Sequence, residues 1–291
     1  MRIAVIGSNG QLGRDLVRAF GSQSHDVIAW TRQDFDIRDH ERLSKAILAT
    51  HPDAVINAAV FHPADACEVN IDLSFAVNAT AVAHMAQACQ ESGAALVHVS
   101  TNYVFDGEKG TPYTEEDCPR PINVYGISKL AGECFVAALC RSHYVVRVAS
   151  LFGTSGASTG RGNFVETMLG KAAKGESISV VDDVVMSPTF AVDAAVAIRR
   201  LVEERVPFGV YHVTNAGICA WYDFARTIFE MSGIRARLSP WTITEAAPKA
   251  RRPTNSALSC RKFETSTLTF LRPWRDALGD YLGARGRSRH L

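Results

Sequence analysis

A tyrosine and a lysine four residues apart form the first pair in this sequence that suggests chemistry. Tyr125 and Lys129 lie in the stretch VYGISKLAG, residues 124–132. Residues i and i+4 share one face of a helix. A neighbouring ammonium lowers the pKa of a tyrosine, which is about 10 in a free side chain, and such a phenol can protonate an oxygen that becomes an alkoxide. The alternative is two amphipathic side chains on a half-exposed helix.

A threonine precedes this helix at a position where functional groups gather. Ser100 and Thr101 follow directly on the apolar run ALVHV, residues 95–99. If that run is a parallel strand, its carboxyl end lies at the sheet edge where ligands bind. We predict that the Thr101 hydroxyl holds a substrate carbonyl near Tyr125. The catalytic residues Thr101, Tyr125 and Lys129 then fit the reduction of a carbonyl by hydride transfer.

A glycine-rich turn near the N-terminus suggests a site for a phosphorylated cofactor. The stretch VIGSNGQLG places Gly7, Gly10 and Gly13 in the spacing GxxGxxG, between an apolar run and a helical pattern at 11–21. Glycines let the backbone approach a pyrophosphate, and a helix N-terminus offers N–H groups and a positive dipole end. The turn therefore predicts dinucleotide binding, and a tight turn without a ligand is the alternative.

The residues after the second apolar run bear on the choice between NADPH and NADH. An acidic residue there would bind the ribose 2′-OH and repel a 2′-phosphate. Here Thr31 and Arg32 follow the run VIAW. Because a guanidinium pairs well with phosphate, we predict NADPH, with NADH as the alternative. An arginine that is merely exposed at a loop tip would look the same.

Alternation of short apolar runs with helix-length segments predicts the fold class. We expect an α/β fold, a Rossmann-type doubly wound parallel sheet with a smaller C-terminal substrate-binding α/β domain. The predicted dinucleotide-binding domain covers residues 1–150, and the segment of about 185–212 returns to it. Residues 151–184 and 213–291 are expected to form mainly the substrate-binding domain. The five apolar runs of the first domain are 2–7, 27–30, 54–59, 95–100 and 144–150.

The composition of the chain limits which binding partners and which cellular compartment we expect. The 291 residues carry a net charge of +1, so no strong field favours nucleic acid or a membrane surface, and no apolar run is long enough to span a bilayer. Seven cysteines without a CxxC pair favour neither a disulfide framework nor a zinc site. Met1-Arg2 lead directly into an apolar run, so we expect no signal peptide and a cytoplasmic protein. The sequence predicts no metal site, and it leaves open a homodimer and a need for Mg²⁺.

The motifs occur in the order that is typical of the short-chain dehydrogenase/reductase superfamily. The chain resembles its extended, nucleotide-sugar-modifying branch, and within it the dTDP-4-dehydrorhamnose reductase family, from Met1 to about Tyr281. The resemblance implies NADPH-dependent reduction of the 4-keto group of a nucleotide sugar, dTDP-4-dehydro-L-rhamnose to dTDP-L-rhamnose. The stretches that carry it are NAAVFHPADACE (57–68), STNYVFDG (100–107), PINVYGISKLAGE (121–133), YHVTNAG followed by WYDFA, and RRPTNSAL (251–258).

The resemblance also implies which residues bind the ligands. Those expected along the cofactor are Gly7, Asn9, Gly10, Gln11, Leu12, Gly13, Arg32, Asp36, Ile37, Ala58, Ala59, Tyr125 and Lys129. Those expected near the nucleotide sugar are Thr101, Tyr103, Phe105, Tyr125, Asn163, Phe164, Arg252 and Asn255. Arg252 supplies a cation that would suit a diphosphate, with a plain surface charge as the alternative.

Three positions depart from the family pattern and concern the identity of the sugar. Asn102 stands where the family usually has Asp, Leu151 where a Trp-containing stretch is usual, and His62 where Thr is usual. The alternatives to the proposed activity are another nucleotide-sugar reductase or epimerase, and a non-catalytic dinucleotide-binding regulatory subunit that resembles the methionine adenosyltransferase partner.

Three further polar side chains have a structural and a functional interpretation. Asn57 either turns the chain after the third strand or contacts the cofactor ribose. Asn78 lies in a helical pattern, where a buried amide must find partners, and it could fix the backbone near the site. His98 has no ligand partners at metal spacing, so we predict a structural role for it.

Overall fold

A computed structural model describes residues 1–154 and 162–288 of the chain. The strands are β1 (Arg2–Ile6), β2 (Asp26–Trp30), β3 (Ala54–Asn57), β4 (Ala95–Thr101), β5 (His143–Val148), β6 (Leu151–Phe152), β7 (Ser177–Val181), β8 (Val185–Met186), β9 (Thr189–Phe190), β10 (Gly209–His212), β11 (Cys219–Ala220) and β12 (Arg237–Trp241). The α-helices are α1 (Gln11–Gly21), α2 (His40–Thr50), α3 (Ala64–Val69), α4 (Ile71–Phe75), α5 (Ala81–Ser92), α6 (Val124–Leu139), α7 (Phe164–Ala173), α8 (Ala191–Glu203), α9 (Trp221–Ser232), α10 (Ile243–Ala246), α11 (Arg261–Thr267) and α12 (Trp274–Ser288).

A parallel sheet of six strands organises the larger part of the chain. Its order is β2-β1-β3-β4-β5-β10, and every neighbouring pair is parallel. The direction of winding reverses between β1 and β3, which is where open α/β sheets bind ligands beyond their carboxyl ends. The predicted Rossmann-type class is thus confirmed.

Both faces of this sheet are covered by helices, which explains why its strands are apolar on both sides. Successive side chains of a strand point to opposite faces. Ile3 and Val5 of β1 belong to the core beneath α1 and α8, while Ala4 and Ile6 belong to the core beneath α2, α5 and α6. Burial of both faces keeps the sheet rigid under the site.

A further core, here called the second core, lies beyond the sheet and is rich in aromatic side chains. It joins α7, β7, α9 and α12, with Phe152 and Phe190 among its members. Here β7 pairs with β12 in parallel, β8 pairs with β11 antiparallel, and β6 pairs with β9 in parallel. Within the segment 185–212, β8 thus lies with this second core, while α8 packs on α1 and β10 joins the main sheet.

The helical segment around Asn78 is interrupted. It consists of α4, a π-helical turn at Ala76–Thr80, and α5. The turn places the side chain of Asn78 against the backbone of Phe61. Of the described helices, none is long and apolar enough to cross a membrane.

Candidate active site

The glycine turn packs closely against two neighbouring segments. Gly7 has φ +76°, and a Cβ there would lie 2.8 Å from the backbone N of Ala59. A Cβ at Gly13 would lie 2.1 Å from the carbonyl O of Gly7. Gly10, the N-cap of α1, has no side chain to occupy the first N–H groups of the helix. This cradle at the reversal point of the sheet fits the diphosphate of a dinucleotide.

The other residues predicted along the cofactor lie on both sides of this turn. A cavity of about 320 Å³ adjoins it, lined by Ser8, Asn9, Arg14, Val17, Arg18 and Ala29. Leu12 and Ile37 are buried in the two cores of the main sheet, so their side chains support this region from within. Ala58 and Ala59 follow β3 and touch the glycine turn through their backbone.

Arg32 is highly exposed after β2 and is paired with an acidic neighbour. Its side chain is 77% exposed, and its guanidinium lies 3.1 Å from the Asp36 carboxylate. Asp36 also accepts two hydrogen bonds from the Arg38 side chain. These bonds hold the pKa of Asp36 well below its usual range. A phosphate beside Arg32 would therefore share that guanidinium with Asp36.

Thr101 and Tyr125 meet at the carboxyl end of β4. Thr101 is the last residue of β4, and its hydroxyl lies close enough to the Tyr125 hydroxyl to lower the pKa of that phenol. The Thr101 hydroxyl also accepts from the backbone N–H of Tyr103 and donates to Oδ1 of Asn102, each at 3.2 Å. A carbonyl oxygen that reached this pair would contact two hydroxyl groups at once.

The start of α6 is fixed by contacts from three sides. The side chain of Asn123 caps the helix by accepting from the Gly126 N–H at 2.8 Å. The Glu68 carboxylate accepts from the Val124 N–H at 2.9 Å. A Cβ at Gly126 would lie 2.1 Å from the carbonyl O of Tyr103, so only glycine permits this approach. Tyr125 thereby gains a defined position above the end of β4.

Lys129 is directed into the molecule and not towards Tyr125. Its Nζ donates to the carbonyl O of Val99 at 2.8 Å and lies 3.1 Å from Nε2 of His98. The residue is 1% exposed. Burial lowers the pKa of the Lys129 amine to about 8, and the negative charge of Glu133 opposes this effect.

The expected lowering of the pKa of Tyr125 by Lys129 is wrong for this structure. Burial raises the pKa of the Tyr125 hydroxyl, and the bond with Thr101 offsets only part of that effect. The cause is the direction of the lysine side chain, because its nitrogen is held against β4. Tyr125 is therefore a fully protonated donor near neutral pH.

Of the residues predicted near the substrate, Tyr103 packs against Tyr125, and Arg252 lies next to Tyr103. The ring of Tyr103 packs edge-on against that of Tyr125, with 5.9 Å between centroids. The guanidinium of Arg252 lies 6.0 Å from the Tyr103 ring and 3.0 Å from the Asp65 carboxylate. The Arg252 side chain is 18% exposed, so this cation belongs to a partly buried cluster and not to an open surface.

Two further predicted residues lie at the start of α7. Asn163 caps this helix, and its Nδ2 donates to the carbonyl O of Gly153 at 2.8 Å and to Oε1 of Gln11 at 3.3 Å. Gln11 opens the helix after the glycine turn, so Asn163 joins α7 to that turn. Phe164 is half-buried, and its ring centroid lies 4.6 Å from that of Trp221.

The side chains of Phe105 and Asn255 have their contacts with other parts of the protein. Phe105 is fully buried and stacks on Tyr113 with 4.1 Å between centroids. The Asn255 amide donates to the carbonyl O of Lys109 at 2.6 Å. Asn102 is likewise buried, and its Nδ2 donates to the carbonyl O of Ser256 at 3.2 Å. In this structure the three side chains support the walls of the site from behind.

The two amides that the sequence left open have backbone partners. Asn57 accepts from the Ala59 N–H at 3.1 Å, which stabilises the turn after β3. Asn78 accepts from the N–H of Phe61, donates to its carbonyl O, and also donates to Oγ of Ser128 on α6. Both therefore shape the backbone around the candidate site.

Sequence reasoning missed Asp65, Glu68 and Asn123. Asn123 stands directly before a helical pattern, which is the usual signal of an N-cap and could have revealed it. Asp65 and Glu68 lie in a stretch that carries the family resemblance, but neither type nor spacing indicated their partners. Among residues 1–154 and 162–288, no group of three or more His, Cys, Asp or Glu side chains is arranged to hold a metal ion.

Comparison with known proteins identifies the family. Residues 1–285 match the family described as the RmlD substrate binding domain. The chain belongs to this family. It is 39% identical over 292 residues to dTDP-4-dehydrorhamnose reductase of Mycobacterium tuberculosis H37Rv, with 99% of this chain and 94% of the relative covered. The predicted family membership is thus confirmed.

Two other relatives support this assignment. Spore coat polysaccharide biosynthesis protein SpsK of Bacillus subtilis strain 168 is 36% identical over 284 residues, with 98% of each chain covered. The crystal structure of dTDP-4-dehydrorhamnose reductase from Bacillus anthracis in complex with NADP superimposes with a TM-score of 0.92 at 32% identity, covering 97% of this chain and 99% of that one. The chain is an oxidoreductase of this family.

Proposed function

We propose that this chain uses NADPH to reduce the 4-keto group of a nucleotide sugar, dTDP-4-dehydro-L-rhamnose, to the hydroxyl of dTDP-L-rhamnose. The observation that carries the proposal is the proximity of the Thr101 and Tyr125 hydroxyl groups at the sheet edge that also holds the glycine turn. The names of the relatives and the NADP complex of one of them give further support.

The cofactor residues divide by the part of NADPH that each would hold. Gly7, Gly10 and Gly13, with the first turn of α1, fit the diphosphate because they offer backbone N–H groups and no side chain. Arg32 fits the 2′-phosphate as the exposed cation after β2. Nζ of Lys129 contacts His98 and donates to Val99, which leaves one of its three bonding positions for the ribose side. NADPH supplies the hydride.

Tyr125 supplies the proton in this scheme. Its raised pKa keeps the phenol protonated at neutral pH, which is the state that a proton donor needs. The Thr101 hydroxyl holds the carbonyl oxygen of the sugar beside it. As C4 of the sugar gains a hydride, its oxygen takes the proton from Tyr125, and the resulting phenolate recovers a proton from solvent.

The sugar nucleotide would lie along the cluster beside Tyr125. Arg252 supplies a cation for the diphosphate and is already held in place by Asp65 and the ring of Tyr103. Asn163, which contacts Gln11, and Phe164 would border the same space from the second core. A cation that is oriented in advance loses little side-chain entropy when it binds an anion.

A second copy of the chain is the protein partner we propose. Val69, Ile71, Ile127 and Phe135 are each more than 40% exposed. They lie on α3, α4 and α6, which pack against one another. Light scattering on the purified protein would measure the mass, and a monomer at micromolar concentration would refute a homodimer.

The decisive experiment is an assay of the proposed reaction. Purified protein is mixed with NADPH and dTDP-4-dehydro-L-rhamnose, the loss of NADPH absorbance is followed, and the sugar product is identified; NADH is run in parallel. Consumption of NADPH with formation of dTDP-L-rhamnose supports the proposal. Bound NADPH without turnover refutes this substrate and favours another keto sugar or a regulatory role.

The role of Tyr125 is tested by Tyr125→Phe. We expect NADPH to bind with unchanged affinity and turnover to fall by a factor of about 10² to 10⁴, because a general acid contributes that much. Tyr222→Phe, on α9 in the second core, removes a hydroxyl outside this site and is the matched control. Near wild-type turnover of Tyr125→Phe would show that another group donates the proton.

A further inference from the structure

Three buried side chains form a line of contacts that ends at Lys129. Nδ2 of Asn57, at the end of β3, lies 3.1 Å from Nδ1 of His98 on β4. Nε2 of His98 lies 3.1 Å from Nζ of Lys129 on α6. Asn57 and His98 are fully buried and Lys129 is 1% exposed, so solvent does not reach these groups. The donors and acceptors of these three side chains must therefore find their partners within the protein.

The orientation of the Asn57 amide fixes the position of the proton on His98. Oδ1 of Asn57 accepts from the Ala59 N–H at 3.1 Å, so the NH₂ group faces the imidazole. An amide NH₂ only donates. Nδ1 of His98 must therefore accept, and the proton of the neutral ring lies on Nε2, which faces Lys129.

A proton on Nε2 needs an acceptor on Lys129. A lysine amine has a lone pair, whereas an ammonium has none. The line of contacts is fully satisfied when Lys129 is a neutral amine that accepts from His98 and donates to Val99. An ammonium fits only if His98 moves its proton to Nδ1, and the bond from Asn57 is then lost. The lowered pKa values of Lys129 and His98, both caused first by burial, agree with this arrangement.

The charges around this line do not favour an ammonium strongly. Glu133 lies one turn further along α6, but its carboxylate is already bound by Arg147 of β5 at 2.7 Å and by the Ser100 hydroxyl. Tyr125 on α6 and Cys67 on α3 have raised pKa values and are uncharged near neutral pH. Glu68 on α3 is directed to the N-terminus of α6. Within the described part of the chain, no carboxylate forms an ion pair with Lys129.

We propose that His98 is a positioning residue for this site: it anchors Lys129 against β4 and, in the tautomer fixed by Asn57, sets the pH at which Lys129 takes up its proton. Helix α6 lies close to the His98 imidazole at Gly132. A Cβ at Gly132 would lie 3.2 Å from Nε2 of His98 and 2.3 Å from the carbonyl O of Asn78. The contact with Asn78 requires glycine at this position, and the same glycine lets the helix lie close to the imidazole.

Asn57→Asp tests the inference without altering His98 or Lys129. One carboxylate oxygen still accepts from Ala59, and the other accepts a proton from Nδ1, so that Nε2 becomes an acceptor for the ammonium. We expect the proton of Lys129 to be held to a pH about one unit higher, equal to about 1.4 kcal/mol. The alkaline limb of kcat/KM for the keto sugar then moves up by about one unit. His98→Gln offers a carbonyl oxygen to Lys129 and is expected to move it in the same direction.

His212→Gln is the matched control. His212 is also fully buried and hydrogen-bonded, but its partners are Arg147 and the carbonyl O of Tyr113, and Lys129 is not among them. This variant is expected to lose stability while its alkaline limb stays in place. A merely structural role of His98 predicts the same behaviour for Asn57→Asp and His98→Gln, so an unmoved limb in both variants would overturn the proposal.

The kinetic readout rests on the proposed function, and a second readout does not. Nitrogen-15 NMR of the wild-type protein labelled at histidine reports which ring nitrogen of His98 carries the proton. We expect the Nε2–H form in the wild type above the pH at which Lys129 loses its proton, and the Nδ1–H form in Asn57→Asp at the same pH. An Nδ1–H form in the wild type at that pH overturns the inference, whatever the enzyme reduces. An Nε2–H form in a protein that reduces no keto sugar supports the inference and refutes only the proposed function.

Discussion

The substitution Gly126→Ala perturbs the site at the point where α6 and the end of β4 are closest. Gly126 directly follows Tyr125, and its added Cβ would lie 2.1 Å from the carbonyl O of Tyr103. Cβ atoms essentially never come closer than 3.0 Å to a non-bonded atom, so the gap must widen by about 1 Å. The oxygen belongs to the backbone and cannot rotate away. The start of α6, and Tyr125 with it, must therefore move.

The size of the effect follows from this displacement. Overpacking of this kind costs about 1–3 kcal/mol, and the higher helix propensity of alanine returns about 1 kcal/mol. The expected net loss of unfolding free energy is therefore about 0–2 kcal/mol. Turnover is more sensitive, because a misplacement of about 1 Å can cost a factor of about 10². We expect kcat to fall by about that factor in a protein that remains folded.

Gly170→Ala, on the exposed face of α7, provides the control. No atom lies within 4 Å of a Cβ built there, so this variant is expected to gain up to about 1 kcal/mol from helix propensity with unchanged kcat. Denaturant unfolding and the keto-sugar assay are measured on both variants. Wild-type kcat in Gly126→Ala would show that the contact between Gly126 and Tyr103 does not position the proton donor.

Two further predictions concern the cofactor and the pH dependence of stability. Arg32→Ala is expected to raise the KM for NADPH by a factor of about 10–100, because a hydrogen bond to a charged group contributes about 1.5–3 kcal/mol. The KM for NADH is expected to stay unchanged. Equal effects on both cofactors would show that Arg32 does not bind the 2′-phosphate. Burial, followed by the charge of Arg147, lowers the pKa of His212 to about 3, whereas an unfolded histidine has about 6.5. Below about pH 6.5 the unfolded chain therefore binds more protons than the folded chain. The free energy of unfolding decreases as the pH is lowered, and this residue accounts for a decrease of about 2 kcal/mol at about pH 5. Denaturant unfolding at neutral and acidic pH should show a smaller loss of unfolding free energy on acidification in His212→Gln than in the wild type. An identical pH dependence of the two proteins would contradict this prediction.

The elements of the main sheet could be predicted because each follows from local pattern. The runs 2–7 and 54–59 contain β1 and β3, whose sides are both apolar because helices cover both faces. The pairing of β7 with β12 could not be predicted, because their contact joins segments about sixty residues apart and neither carries a matching signal. The π-helical turn at 76–80 could not be predicted from the sequence for a related reason, because it accompanies the hydrogen bonds between Asn78 and Phe61.

The residue types of the site could be predicted better than their directions. The position of Thr101 at the end of β4 and of Tyr125 in the first turn of α6 follows from the strand and helix patterns. The spacing of Tyr125 and Lys129 fixes only their Cα positions on the helix. A lysine side chain has four flexible carbons, and the burial of its nitrogen requires partners wherever they are found. Those partners, Val99 and His98, are brought close by the tertiary fold alone.

The structure also changes the interpretation of Asn102, the departure that was expected to face the sugar. Asn102 is 3% exposed and joins Thr101 to the backbone of Ser256 through the two ends of its amide. An aspartate carboxylate could accept from Thr101 but could not donate to the carbonyl O of Ser256. Asparagine therefore ties the segment 251–258 to the end of β4 in a way that the usual aspartate cannot. Its effect reaches the substrate through the orientation of the Thr101 hydroxyl, so it is expected to alter turnover for every sugar and not to select among them.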